Sequence, residues 1–344
     1  MINDTMKPPD DKDKALFGRR WRISILVPID EEETSSDVNK YIAYVVSDSD
    51  KEDTSLRVTF RIQNHGWEVP NFSEVVVFNM SPQTENLLID AGARIIVEAG
   101  YKNGNFGAIY DGSIFQALWE KDDNVTTKVT FRCIDAMDII YDNHVEMVET
   151  MKYQKDMMLS MANKSRRKFE IKKIASTLKN IELARGKVFF DSPAYYLRKF
   201  AQQSGTTVST QRRDIYLVRP QDEVPEDVTK KALVLSPGEG GLIGFPQQTQ
   251  DGVNFTCLLN PSLMVFNPEP MMVKIDNAYI RQLAVQYNSA GFSRLDKDGI
   301  YKVIGVIHEG DTRGTPWYSH VTGCEQSMEG TLAAMFKTRN DTDG

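Results

Sequence analysis

Between Leu242 and Gly323 the chain is cut into short apolar runs by Gly, Pro and Asn-Pro, with no apolar repeat of helical period between them. The stretch opens with Leu242-Ile-Gly-Phe-Pro-Gln-Gln-Thr-Gln-Asp-Gly-Val-Asn-Phe-Thr-Cys-Leu-Leu-Asn-Pro261. After an insertion it closes with Gly299-Ile-Tyr-Lys-Val-Ile-Gly-Val-Ile-His-Glu-Gly-Asp-Thr-Arg-Gly-Thr-Pro-Trp-Tyr-Ser-His-Val-Thr-Gly323. Runs of this length with such punctuation are strands joined by tight turns, so this part of the chain is expected to be a β-barrel or sandwich.

The N-terminal third reads the same way. Trp21, Ile23, Ile25 and Val27 alternate with polar residues up to Pro28, a half-buried strand. Leu56, Val58, Phe60 and Ile62 alternate with Arg57, Thr59, Arg61 and Gln63, which gives one buried and one wet face. Further strands are expected at Tyr41 to Val46, Glu74 to Met80, Ala93 to Gly100, Phe106 to Phe115 and Thr127 to Ile134. Ser81-Pro82 offers an N-cap and a first-turn proline for a short helix from Gln83 to Asp90.

After Tyr141 the composition changes. Residues 144 to about 184 lack Pro and Gly and are rich in Met, Lys, Glu and Leu, which predicts amphipathic helices. A small α/β unit follows: a strand at Val188 to Phe190, a helix started by Asp191-Ser192-Pro193 and stopped by Gly205, and a hairpin around Arg212-Arg213-Asp214. Pro220 to Asp227 reads as an acidic linker. The expected fold class is α+β, mainly β, with two β-barrel domains flanking a helical segment and a small α/β unit. The expected boundaries are an arm at 1–17, a first barrel at 18–142, a helical segment at 143–186, an α/β unit at 187–219, a linker at 220–240, a second barrel at 241–330 and a tail at 331–344. No repeat of 20 to 50 residues is visible, which argues against a solenoid or propeller.

The 344 residues are 41% hydrophobic and 26% charged, as in an ordinary globular protein, with a formal net charge of −7 that makes no case for nucleic-acid binding. The N-terminus has neither an apolar h-region nor an Arg-rich pattern, and no apolar run approaches the roughly 20 residues that span a bilayer, so folding in a cytoplasm without membrane insertion is expected. Cys133, Cys257 and Cys324 are far apart and each sits by an apolar run, as small buried hydrophobes do.

His308-Glu309-Gly310-Asp311, with Arg313, Trp317 and His320 behind it, resembles the paired carboxylates of a glycosidase, but Gly310, Gly314 and Pro316 make a turn the simpler reading. His65, His308 and His320 lack metal-ligand spacing, and Gly238-Glu-Gly-Gly241 lacks the Lys-Ser/Thr of a phosphate loop, so no catalytic residue, metal or cofactor is expected. The basic cluster Lys164 to Lys173 is interrupted by Phe169 and Ile171, as on a solvated helix or one docked on an acidic partner.

Together, the order of runs in Leu242–Gly323, Arg94-Ile-Ile-Val-Glu-Ala-Gly-Tyr101, Ile109-Tyr-Asp-Gly-Ser-Ile114, Val129-Thr-Phe-Arg-Cys-Ile-Asp-Ala136 and Arg185-Gly-Lys-Val188 resembles the baseplate hub proteins of contractile-tailed bacteriophages, the late control protein D family. That resemblance implies two tube-type barrels per subunit and a homotrimer, which presents six similar barrels to a hexameric tail tube and three-fold symmetry to a central spike. It also implies contacts with a tube or tube-initiator protein, wedge proteins and a tape measure protein, a channel that passes genomic DNA without binding it specifically, and residence in the virion tail. Asp311, Arg313 and Trp317, in the most family-like loop, are the candidate interface residues. A peptidoglycan-hydrolysing or carbohydrate-binding tail protein, and a single-strand nucleic-acid binder of OB type, are the competing classes.

Overall fold

The structure, a computed structural model, describes residues 16–325 except 17, 29–40, 49–54, 67–69, 82–83, 85–92, 220, 221, 223, 239–240, 250–251, 283–294 and 296. The expected arm (apart from Leu16), the tail and most of the short helix at Gln83 to Asp90 lie outside the described residues.

Seven strands form an N-terminal unit: β1 (Arg19–Pro28), β2 (Tyr41–Ser47), β3 (Val58–His65), β4 (Phe72–Phe78), β5 (Arg94–Tyr101), β6 (Phe106–Lys121) and β7 (Thr127–Ile134). They lie in the order β2-β1-β5-β6-β7-β4-β3, all antiparallel. Alternation decides their faces: Trp21, Ile23 and Ile25 of β1, Val58, Phe60 and Ile62 of β3, Val75 and Val77 of β4, and Val129, Phe131 and Cys133 of β7 point into one core, around which the sheet curls.

The middle of the chain departs from the sequence reading. Of the helical stretch expected over 143–186, only α1 (Gln154–Lys164) is α-helix, while β8 (Val145–Glu149) and β9 (Ile171–Ile174) are strands. β8 is drawn into pairing with β10 (Lys187–Asp191), and there Val145 and Glu149 are buried at a period of two despite a composition suited to helix. Next come α2 (Pro193–Ser204), β11 (Thr207–Gln211) and β12 (Asp214–Val218). Pro193 stands in the first turn of α2, and Gly205 closes it in the left-handed region at φ 67°. Phe189, Tyr196, Leu197, Phe200 and Met157 form the core of this small unit.

The expected linker over 220–240 is not one. It carries the turn of helix α3 (Glu226–Thr229) and then β13 (Leu233–Leu235), whose Leu235 is buried in the next core because it pairs with a strand there. The C-terminal unit continues with β14 (Leu242–Gln248), β15 (Val253–Leu258), the short pair β16 (Phe266–Asn267) and β17 (Glu269–Pro270), then β18 (Met272–Ile275), β19 (Arg281–Gln282), β20 (Ile300–Asp311) and β21 (Trp317–Cys324). Its main order is β14-β15-β21-β20-β18-β13.

The two units repeat one design at the level of register. In β6–β7, Ser113 pairs with Ile134 and Ile114 with Cys133, a bulge follows, and pairing resumes at Gln116 with Arg132 and runs to the turn. In β20–β21, Lys302 pairs with Cys324 and Val303 with Gly323, a bulge follows, and pairing resumes at Gly305 with Thr322. The flanking hydrogen bonds repeat as well: Asn79 N to Thr127 O matches Leu259 N to Trp317 O, Phe78 N to Arg57 O matches Leu258 N to Gly241 O, and Ile114 N to Ala93 O matches Val303 N to Met271 O. So β3, β4, β5, β6 and β7 correspond to β14, β15, β18, β20 and β21. Matched residues differ in chemistry, as with Trp119 and His308 or Thr130 and His320.

Because Phe189 has no exposed surface and touches both Tyr196 and Phe200, Phe189→Ala is expected to cost about 3–5 kcal/mol. Urea unfolding followed by far-ultraviolet circular dichroism would show it; a midpoint equal to the wild type would contradict a packed middle unit.

Candidate functional site at the joint between the two units

The strands do not close each unit by hydrogen bonding among the described residues; one strand runs between them. β20 lies along β21 for most of its length, but its other edge changes partner. Ile300 to Lys302 pair with β18 of its own unit, and Gly305 to Asp311 pair with β3 of the N-terminal unit. The switch falls at the bulge before Gly305, which re-aims the strand. The buried face of this junction pairs Val306 with Asn64, His308 with Ile62 and Gly310 with Phe60. Gly310 is required by contact: a Cβ there would lie 2.3 Å from the Phe60 ring.

The loop after β20 carries the residues that the sequence offered as an interface, and the structure brings all three together inside the chain. Arg57 of the N-terminal unit grips Asp311 with two hydrogen bonds of 2.7 and 3.2 Å. Burial pushes the Asp311 carboxyl up, but the bonds from Arg57 and the amides of Arg313 and Gly314 outweigh it and hold it below the usual carboxylate value. Arg19 donates to the carbonyls of Asp311 and Thr315, and Val58 and Thr312 exchange two further bonds. Arg313 reaches the Ser55 carbonyl at 2.7 Å. Trp317 is 2% exposed, packs edge-on against Phe60 at 5.4 Å and donates its indole N–H to Gly100 O.

This geometry also bears on the glycosidase-like motif. Asp311 is engaged by an arginine and by the amides of its own turn, while Glu309, on the same face of the sheet, lies between Arg61 at 3.9 Å and His320 at 3.4 Å. Each carboxyl is thus taken up by partners of its own, Asp311 by Arg57 and turn amides, Glu309 by Arg61 and His320. His308 is fully buried beside the Ser319 hydroxyl at 2.9 Å; burial, aided by the charge of Arg212, pushes its pKa down to about 3, so it is neutral at ordinary pH. Among the described residues there is no group of three His, Cys, Asp or Glu placed to hold a metal ion, and no helix long and apolar enough to cross a membrane.

A second contact locks the joint from the middle unit. The β11–β12 turn places Arg212 and Arg213 at φ 49° and 69°, a left-handed pair that aims two arginines apart. Arg212 donates to Pro261 O in the C-terminal unit at 2.8 Å, whereas Arg213 grips Asp138 beside the N-terminal unit with two bonds of 2.8 Å. Asn71 and Gln211 tie the same hairpin to β3 and β4 through Thr210 O and His65 O. Beneath them Asp135 is fully buried. Burial raises its carboxyl to about 7 although the Arg213 amide bonds it. Sequence reading missed Arg57, Arg19, Arg212, Arg213 and Asp135; consecutive arginines in a two-residue hairpin turn, where Asn-Gly is usual, were the one signal available.

No protein-family model matches the chain, and no curated protein matches it. Solved structures do. The 43 kDa tail protein of prophage MuSo2 from Shewanella oneidensis is similar at 10% identity and a TM-score of 0.50, covering 89% of this chain and 99% of its own. A Francisella PdpA–VgrG complex chain is similar at 8% identity and a TM-score of 0.51 over 91% of this chain, which spans 60% of that longer one. A tail protein from Neisseria meningitidis gives 8% identity and a TM-score of 0.48, with 91% and 98% covered. The chain therefore has the mainly-β fold seen in phage tail and VgrG-type proteins.

Gly310→Ala should lose about 1–3 kcal/mol, since overpacking against Phe60 outweighs the strand gain from removing a glycine. A urea midpoint that rises instead would refute this close approach. Asp135 titrates at about 7 in the fold against 3.8 when free, so its contribution is complete below 3.8 and lost as pH rises toward 7, at about 1.4 kcal/mol per pH unit. Because His308, lowered to about 3, contributes the opposite slope up to 6.5, Asp135→Asn should make the urea midpoint rise more steeply with pH between 4 and 6.5 than in the wild type; an unchanged slope would show that Asp135 ionises freely.

Proposed function

We propose that the chain is a structural hub subunit of a phage-type tail. Three copies form a ring that adapts a hexameric tail tube to a trimeric spike and encloses the channel for DNA. The observation that carries this reading is the repeat of β3–β7 by β14, β15, β18, β20 and β21 with its bulge in the same place. A chain that holds two similar units side by side presents six units in a trimer, and this reconciles six-fold with three-fold symmetry without a second protein. The likeness to the MuSo2 tail protein over nearly the full length of both chains supports the same reading.

The face of the joined sheet opposite the cores suits a channel lining. On it Glu309 pairs with Arg61 and Glu120 with Lys128. Such a face neither grips a polyphosphate nor strongly repels it. A virion location, with tube, spike, wedge and tape measure proteins as neighbours, follows from this role, as does the lack of a catalytic one.

Light scattering on the purified chain is expected to give the mass of a trimer. A mass that stays monomeric or dimeric at all concentrations would sink the ring.

A further inference from the structure

The middle unit carries charge of one sign. Between Val145 and Val218, from β8 to β12, stand fifteen Lys and Arg against seven Asp and Glu, a formal +8, while the rest of the chain, with 26 against 41, carries −15. The cluster Lys164 to Lys173 supplies much of the excess, and the fold divides it. Lys164 at the end of α1 is held by Glu149, Lys172 by Glu170 and Lys173 by Glu269, while Arg167 donates to the Asp138 carbonyl. Arg166 and Lys168 are exposed and have no carboxylate partner among the described residues.

The backbone of Arg166 fixes where that charge lies. Its amide donates to the His144 carbonyl at 2.8 Å, and the His144 ring meets Phe190 edge-on with centroids 5.1 Å apart. Phe190 belongs to the outer face of the β8–β10 ribbon. By alternation one face, with Val145 and Phe189, packs into the core of the unit, and the other holds Val148, Val188 and Phe190. Val148 and Val188 are directly opposed in register, and Phe190 is two residues on. The three are 68%, 66% and 67% exposed. The solvent side of a strand pair is ordinarily polar, so three adjacent apolar side chains mark a contact surface.

We propose that this ribbon face docks an acidic segment of another protein, whose apolar side chains cover Val148, Val188 and Phe190 while its carboxylates reach Arg166 and Lys168. The inference goes beyond the ring reading and does not need it, since none of these residues takes part in the joint. Charge complementarity selects the occupant: the unit is basic as a whole, and the bases beside the patch have no acids of their own. The apolar centre supplies the anchor and the basic border sets which segments approach. A nucleic acid fits less well. Bases stack on open aromatic rings in succession, whereas Phe190 is followed on this face by two valines, and Glu146, directly opposite Phe190, repels a phosphate.

A random peptide library panned against the purified chain, with the enriched peptides then titrated by fluorescence anisotropy, tests it. Enriched sequences are expected to combine Asp or Glu with Leu, Ile, Val or Phe, and to bind more weakly as salt is raised. Phe190→Ser should weaken their binding about tenfold or more, and so should Arg166→Glu combined with Lys168→Glu. The urea midpoint should not move, because these side chains are exposed. Val148→Thr with Val188→Thr keeps the β-branched shape and should give the same loss, which covers the case in which Phe190→Ser disturbs the fold. Enrichment of neutral or basic sequences, or no enrichment, overturns the proposal, as does binding that all of these variants leave intact. A labelled single-stranded oligonucleotide, or a vesicle of anionic lipid, that binds through Phe190 and Arg166 more tightly than any peptide makes the partner a nucleic acid or a membrane and overturns the acidic segment. The mass by light scattering is read separately, so failure of this contact and failure of the ring are distinct results.

Discussion

The architecture depends on the pairing of β20 with β3. Seven consecutive residue pairs, from Gly305 with His65 to Asp311 with Thr59, join strands more than two hundred positions apart in the chain. Without them the Asp311 loop is parted from Arg19 and Arg57, which hold it, and from Val58. The pairing needs one glycine, at Gly310, to admit the Phe60 ring, and one bulge, before Gly305, to release β20 from β18. These are local devices in a strand that is otherwise an ordinary apolar run.

Electrostatics around the joint divides into two regimes. At the rim, the Arg57–Asp311 pair joins a half-exposed guanidinium to a largely buried carboxylate, so solvent screens part of its attraction. Beneath the β11–β12 turn the environment is dry enough to hold Asp135 partly protonated near neutrality and to keep His308 uncharged. The two groups act in opposite directions: acid charges His308 against its burial, and base charges Asp135 against its own. The joint is thereby suited to a middle range of pH.

How much of this was legible in the sequence follows from where the information sits. Alternation of the Leu56–Ile62 kind and Gly/Pro punctuation placed most strands of both units, since those signals are local. The segment from His144 to Ala184 misled because Met, Lys and Glu favour helix, while β8 is decided by β10, a partner forty residues away. The duplication was visible only as two comparable β-regions; its register is carried by backbone bonds, and matched positions hold unlike side chains. The Asp311 loop stood out by its residues, but nothing in them says that its partners are Arg57 and Arg19 of the same chain.

In the proposed ring, linking the two units in one polypeptide also changes the kinetics of assembly. A joint between separate molecules forms at a rate set by their concentration, whereas β20 meets β3 at a local concentration fixed by the intervening chain. In a ring of three such chains, half of the joints are therefore complete before any two molecules meet, and assembly becomes a three-body problem instead of a six-body one. The tether also excludes rings with an odd number of units, since every molecule brings a pair.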